Sequence, residues 1–149
     1  MGRAVVDAFV AEGIRVAAVD INEAGLEPIV AAAEGLVTAF AFDISDPDAV
    51  HDGFRAIESE VGSIDILCNN AGILSNNKAL DTTPEEWNRV MAINLNGAFY
   101  LTREVLPAMR AAKWGRIINT ASYAAKSGGL TAGTAYSVSK AAIVGLTFS

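Results

Sequence analysis

The sequence predicts an α/β chain, a parallel sheet covered by helices on both faces. Two observations carry this. Helix-period and strand-like stretches alternate from one end to the other, and that alternation produces parallel strands joined by crossover helices. No repeat, low-complexity tract or Pro/Gly-rich linker interrupts it, and 149 residues with 52% hydrophobic content are ample for one domain with a core of its own.

Taken in order, the first helix is expected at about 2–12, closed by Gly13 as a C-terminal glycine. A strand follows at 14–20, where the run Ile14-Arg-Val-Ala-Ala-Val19 ends on Asp20. Helix 23–33 and strand 36–42 come next. Helix 46–60 is marked at its start by Ser45-Asp46-Pro47, a capping side chain before a proline. The apolar run Ile64-Asp-Ile-Leu-Cys68 predicts strand 64–69. Thr83-Pro84-Glu85-Glu86 then opens a long helix over 84–112, with Thr83 as cap, Glu86 placed for a capping box and a break expected near Gly97. Strand 115–121 and helix 134–148 complete the pattern.

The net charge is −6, the sequence pI is about 4.7 and no Lys/Arg cluster occurs. This argues against nucleic acid or an anionic membrane surface as a partner. Uncharged stretches are broken by Gly, Asn, Ser and Thr before reaching spanning length, so no transmembrane helix is expected. Asp7 and Glu12 interrupt the apolar stretch after Arg3, unlike a signal peptide, and Val at position 6 does not fit a myristoylation signal. A cytoplasmic location is the residual expectation. Cys68 is the single cysteine, read as a small core residue, and His51 is the single histidine, read as part of a solvated helix face. A cysteine-rich or histidine-rich metal site is therefore not expected, and no motif near His51 supports a Ser-His-Asp triad.

The most direct chemical signal is Tyr136-Ser-Val-Ser-Lys140. Residues four apart on a helix share a face, so the phenol and the ammonium occupy one microenvironment. A cation ~4 Å from a phenolate, at an effective dielectric near 20, contributes about 4 kcal/mol, enough to let the phenol act as a base near neutrality. Tyr100 and Tyr123 have no lysine four residues on and are expected in packing roles.

Together with Asn69-Asn70-Ala71-Gly72 after an apolar strand, Ile93-Asn-Leu-Asn-Gly97 and Gly115-Arg-Ile-Ile-Asn-Thr-Ala-Ser122, the Tyr/Lys pair resembles the short-chain dehydrogenase/reductase family, in the branch that carries NNAG. The order and spacing fit from Gly2 to Ser149. The resemblance implies a Rossmann-type doubly wound parallel sheet and an NAD(P)-dependent oxidoreductase that interconverts an alcohol and a ketone or aldehyde. In that reading Ser122 holds the substrate oxygen and Tyr136 exchanges its proton. Lys140 supports Tyr136 and bonds the nicotinamide ribose, and Asn94 holds a water of the proton relay. Asp20, with Ile21 beside it, sits where such folds bond the adenosine ribose hydroxyls, which favours NAD over NADP because a carboxylate repels a 2′-phosphate. A helix cap is the alternative use of Asp20, although Asn22 serves that purpose equally well. Asp43 and Ile44 border the adenine, or Asp43 is an ordinary turn residue. Asn70, Ala71 and Gly72 let backbone approach the cofactor, and Asn69 is placed to lock neighbouring strands. Segments 74–79 and 126–134 are expected to rim the pocket, with Gly128-Gly129 allowing movement. A small-molecule alcohol or carbonyl compound is the implied substrate, and helices 98–112 and 134–148 imply a homo-oligomer.

The same resemblance makes the sheet incomplete. The family's first strand and its T-G-x-x-x-G-I-G turn correspond to nothing before Gly2, and its later strands to nothing after Ser149. The absent strand is central in the implied order 3-2-1-4-5-6-7, so strands 14–20 and 64–69 are expected to lack their shared neighbour. A fragment of a dehydrogenase is the expectation that follows. The alternative is a catalytically silent remnant that at most associates with other subunits.

Overall fold

Short runs of apolar and β-branched residues extend where helices can cover them, and four such runs form strands here, although Arg116 and Ile118 of the last stay exposed. The computed structural model describes residues 1–128 and 130–149. Strands β1 (Val16–Asp20) and β2 (Val37–Ala41) pair in parallel, with Val16 opposite Val37. Strands β3 (Ile66–Asn69) and β4 (Arg116–Asn119) do the same, with Ile66 opposite Arg116. Parallel neighbours need a crossover, and helices supply it. Helix α1 (Gly2–Ala11) precedes β1, α2 (Glu23–Ala31) joins β1 to β2, and α3 (Pro47–Glu60) leads on to β3. Helices α4 (Pro84–Met91) and α5 (Gly97–Ala112) connect β3 to β4, and α6 (Ala124–Ser127) and α7 (Thr134–Thr147) follow.

The start signals act through their side chains. Asn22 accepts from the Gly25 amide, Asp46 from the Asp48 and Ala49 amides, and Thr83 from the Glu86 amide, with Pro47 and Pro84 in the first turns. Gly13 follows α1 with φ of +71°, the left-handed conformation that closes a helix without a Cβ clash. One expectation fails in part: the Glu86 carboxylate does not complete a capping box but turns away to Ser75 and Asn77. The long helix expected over 84–112 is interrupted by a π-helical turn at Ala92–Asn96, just before the glycine where a break was expected. Helix α6, four residues long, is too short to show a helical period in sequence.

The strands form two separate two-stranded sheets, β1–β2 and β3–β4. This matches the expected loss of a shared neighbour, since no described strand lies between β1 and β3. Each sheet has its own apolar cluster. Ala18, Leu26, Ala33 and Val37 pack with Val6, Val10 and Ile29 around the first. Phe54, Val105 and Met109 pack with Ile64, Leu67 and Ile117 against the second. Asn69 ties β3 to β4, its Nδ2 donating to Asn119 Oδ1 at 2.8 Å. His51 is exposed on α3 with Nδ1 3.4 Å from the Glu104 carboxylate of α5. Cys68 is half-buried, and burial raises its thiol pKa. No helix among the described residues is long and apolar enough to cross a membrane.

Candidate active site

The π-helical turn determines where Asn94 points. An extra residue in the turn swings its side chain inward, where it is 2% exposed. There Oδ1 accepts from the Ile73 amide at 2.8 Å, while Nδ2 donates to the Ile73 carbonyl and to Ser139 Oγ, both at 3.0 Å. Ser139 Oγ in turn donates to the Tyr136 carbonyl at 2.8 Å. One amide therefore joins the loop after β3 to the helix that carries Tyr136 and Lys140. Ser139 went unnoticed in the sequence, although it lies three residues from Tyr136 on the same helix face.

Lys140 is 4% exposed, and its Nζ donates to the Thr120 carbonyl just beyond β4 at 2.7 Å. Desolvation lowers its pKa from the ordinary lysine value. Its Nζ lies 5.8 Å from the centroid of the half-buried Tyr136 ring. A Cβ on Gly72 would stand 3.1 Å from Asn94 Oδ1 and 3.5 Å from Lys140 Nζ, so a glycine there keeps backbone close to both. Ser122, two residues beyond Thr120, is half-buried and its Oγ accepts from the Ala124 amide at 3.2 Å, which fixes the entry into α6. Asn94, Tyr136, Lys140 and Gly72 are thus brought together, while Ser122 lies in the loop between β4 and α6.

Above them, two loops are clamped to each other. The Gly133 amide donates to the Ser75 carbonyl at 2.7 Å, the Thr134 amide to the Asn77 carbonyl at 2.9 Å, and Lys78 Nζ to the Ala132 carbonyl at 2.7 Å. Glu86 holds the first of these loops, accepting from the Ser75 hydroxyl and from Asn77 Nδ2. Those hydrogen bonds, Ser75 first, lower the Glu86 pKa. Segments 74–79 and 126–134 therefore meet, through residues 75–78 and 132–134; Gly129 itself lies outside the described residues.

The other predicted residues divide. Asp20, Ile44, Asn70 and Ala71 line one cavity of about 590 Å³, together with Gly2 and Arg3 of α1. Ile21, Asp43 and Gly72 are not among its lining residues. Asp20 accepts from the Asn22 amide at 2.9 Å and stays exposed, while Asn22 caps α2. Asp43 accepts from the amide and hydroxyl of Ser45 at 2.8 and 2.7 Å, the geometry of a turn residue. Ile44 packs so closely on α5 that a Cβ on Gly97 would meet its carbonyl oxygen at 2.9 Å. Tyr123 is 71% exposed, so it is a rim residue at most.

The family described as short chain dehydrogenase matches residues 1–149, and the chain belongs to it. It is 36% identical over 150 residues to D-threitol dehydrogenase of Mycolicibacterium smegmatis, covering 99% of this chain and 57% of that protein. It is 39% identical over 153 residues to the NAD(+)-dependent 2-dehydro-3-deoxy-L-rhamnonate dehydrogenase of a Sphingomonas species, covering 100% and 59%. Among solved structures, a short-chain dehydrogenase from Streptomyces avermitilis superposes with a TM-score of 0.91 at 31% identity, over 99% of this chain and 54% of that one. The chain thus spans between half and three fifths of the length of these relatives.

Proposed function

We propose that these residues form the catalytic half of an NAD(P)-dependent oxidoreductase that interconverts a small alcohol and its carbonyl compound. The observation that carries this reading is the convergence of Tyr136, Lys140 and Asn94, with Ser122 in the loop that follows β4. A nicotinamide dinucleotide suits the residues at two places. Lys140, buried and aimed past Gly72, suits the nicotinamide ribose, and the exposed Asp20 carboxylate at the end of β1 suits the adenosine ribose. Between them the N-terminus of α1 has no side-chain cap and sits beside Asn70, where a Cβ on Gly2 would stand 2.8 Å from Asn70 Nδ2. Open helix N–H groups of this kind favour an anion. Asp20 makes NAD the preferred cofactor.

When bound, the cofactor supplies or removes hydride. The chain's own residues manage the proton. Tyr136 donates it to the carbonyl oxygen in reduction and takes it from the hydroxyl in oxidation, while the Ser122 hydroxyl holds that oxygen. The Lys140 ammonium supports the phenolate. Both donors of Asn94 Nδ2 are used, but Oδ1 keeps a second lone pair for a water of the relay. Exposed apolar residues on α5 and α7, among them Phe99, Leu106, Val138 and Val144, suit contacts with further subunits.

The test is a panel of polyols and hydroxy acids with NAD(+), run on a form of the protein that binds NADH by calorimetry. Tyr136→Phe should reduce turnover by orders of magnitude and leave NADH affinity unchanged. Near-full turnover in that variant would sink the proposal.

A further inference from the structure

Helix α7 begins without a side-chain cap, yet carbonyls of a distant loop take two of its first amides. Gly133 is its N-cap, and the Gly133 and Thr134 amides donate to the Ser75 and Asn77 carbonyls. The first amides of a helix have no partner within it, so the groups that accept from them fix where the helix starts. Tyr136 lies two residues beyond Thr134, in that first turn. Lys140, one turn further on, is held separately, by the Thr120 carbonyl beyond β4 at 2.7 Å. The phenol therefore depends on the 75–77 loop in a way that the ammonium does not.

One carboxylate holds that loop. Glu86 stands in the first turn of α4, which packs on α7. It accepts from the Ser75 hydroxyl and, at 2.7 Å, from Asn77 Nδ2, the side chains of the same two residues whose carbonyls meet α7. We infer that Glu86 is a positioning residue for Tyr136, acting through Ser75 and Asn77 on the start of α7. Its role rests on the proposed proton transfer at Tyr136. Misplacing a reacting group by about 1 Å costs on the order of 10²-fold in rate. Loosening the loop therefore reaches turnover, while cofactor affinity, which draws on Lys140, is spared. Glutamine at 86 preserves the arrangement: Oε1 accepts from Asn77 Nδ2, and Nε2 donates to the Ser75 hydroxyl, which accepts as well as donates. Alanine removes both bonds.

Two measurements test this. In the 149-residue chain, hydrogen exchange at the Gly133 and Thr134 amides should speed up by about tenfold in Glu86→Ala and return towards the wild-type rate in Glu86→Gln. In a form of the protein that binds NADH, Glu86→Ala should lower kcat by about tenfold or more with NADH affinity unchanged, and Glu86→Gln should restore kcat to within about threefold of wild type. A lower thermal midpoint with wild-type kcat in Glu86→Ala means a structural role alone and overturns the proposal. Parallel losses of kcat and NADH affinity overturn it too, as do unchanged amide exchange in Glu86→Ala and a Glu86→Gln variant as slow as Glu86→Ala. Tyr136→Phe is measured beside them: near-full turnover there sinks the proposed reaction itself, whereas an inactive Tyr136→Phe with a fully active Glu86→Ala sinks only the role of Glu86. If Glu86→Ala does not fold, Asn77→Ala, which removes one of the two bonds and keeps the carbonyl at 77, takes its place, and a wild-type kcat in it counts equally against the proposal.

Discussion

Burying the Lys140 ammonium opposes folding, and the Thr120 carbonyl offsets that only in part, so the lysine pKa falls. The linkage has a definite sign. Between its lowered folded value and the unfolded value of about 10.4, the folded state holds less of this proton, so stability rises with pH across that window. The cost is fully present below it. Thermal midpoints measured from pH 7 to 10.5 should therefore climb more steeply in the wild type than in Lys140→Met, and parallel curves would show that the ammonium is not desolvated. Asn94 makes a complementary prediction. Asn94→Ala strands the Ile73 amide and carbonyl at about 1–3 kcal/mol for each group that stays buried and unpaired, seen as a lower denaturation midpoint. Asn94→Asp keeps the acceptor for the Ile73 amide but not the donors, so it should recover only part of the loss. The Tyr136/Lys140 pair was legible in the sequence because helical spacing is local. Ser75 and Glu86 were not, because their partners belong to different loops and elements.

Among the elements, the rim depends on backbone approaching backbone, and one glycine permits it. A Cβ at Gly133 would fall 2.6 Å from the Asn77 carbonyl oxygen and 2.7 Å from that of Ser75. Neither is a flexible side-chain end that could move aside, so Gly133→Ala should separate the two loops and cost about 1–3 kcal/mol, as overpacking does. Hydrogen exchange at the Thr134 amide should speed up in that variant; unchanged exchange would mean that the loops yield together. Glu86 holds the same rim from the side of α4. Its pKa is lowered, so the stability it adds is present above the unfolded carboxyl value and lost as pH falls through the folded one. Glu86→Ala should lower the thermal midpoint at pH 7, and its difference from wild type should shrink in acid. The strands and the helices other than α6 were legible within a few residues from caps, prolines and apolar runs. The π-helical turn was legible only as a break, because its inward Asn94 is fixed by partners outside the helix.

For the whole molecule, the sequence carried the parallel α/β class, and the resemblance to a longer family carried the expectation of a gap between strands 14–20 and 64–69. What neither conveyed is how the chain settles around that gap: two sheets, each with an apolar core of its own. The first core is small, built from α1, α2, β1 and β2, whereas the second sheet is also tied by the Asn69 to Asn119 hydrogen bond and by Lys140 to the segment beyond β4. Helix α3 is a principal bridge, since it packs on both β2 and α5. Stability divided in this way is expected to open in parts. Native-state hydrogen exchange in rising urea should therefore release the β1 and β2 amides at lower denaturant than those of β3, β4 and α7. The β1–β2 half should open with a smaller slope against urea, because less surface is exposed. Coincident release of both sets, with slopes equal to that of global unfolding, would show instead that α3 couples the two cores into one cooperative unit despite the cavity between them.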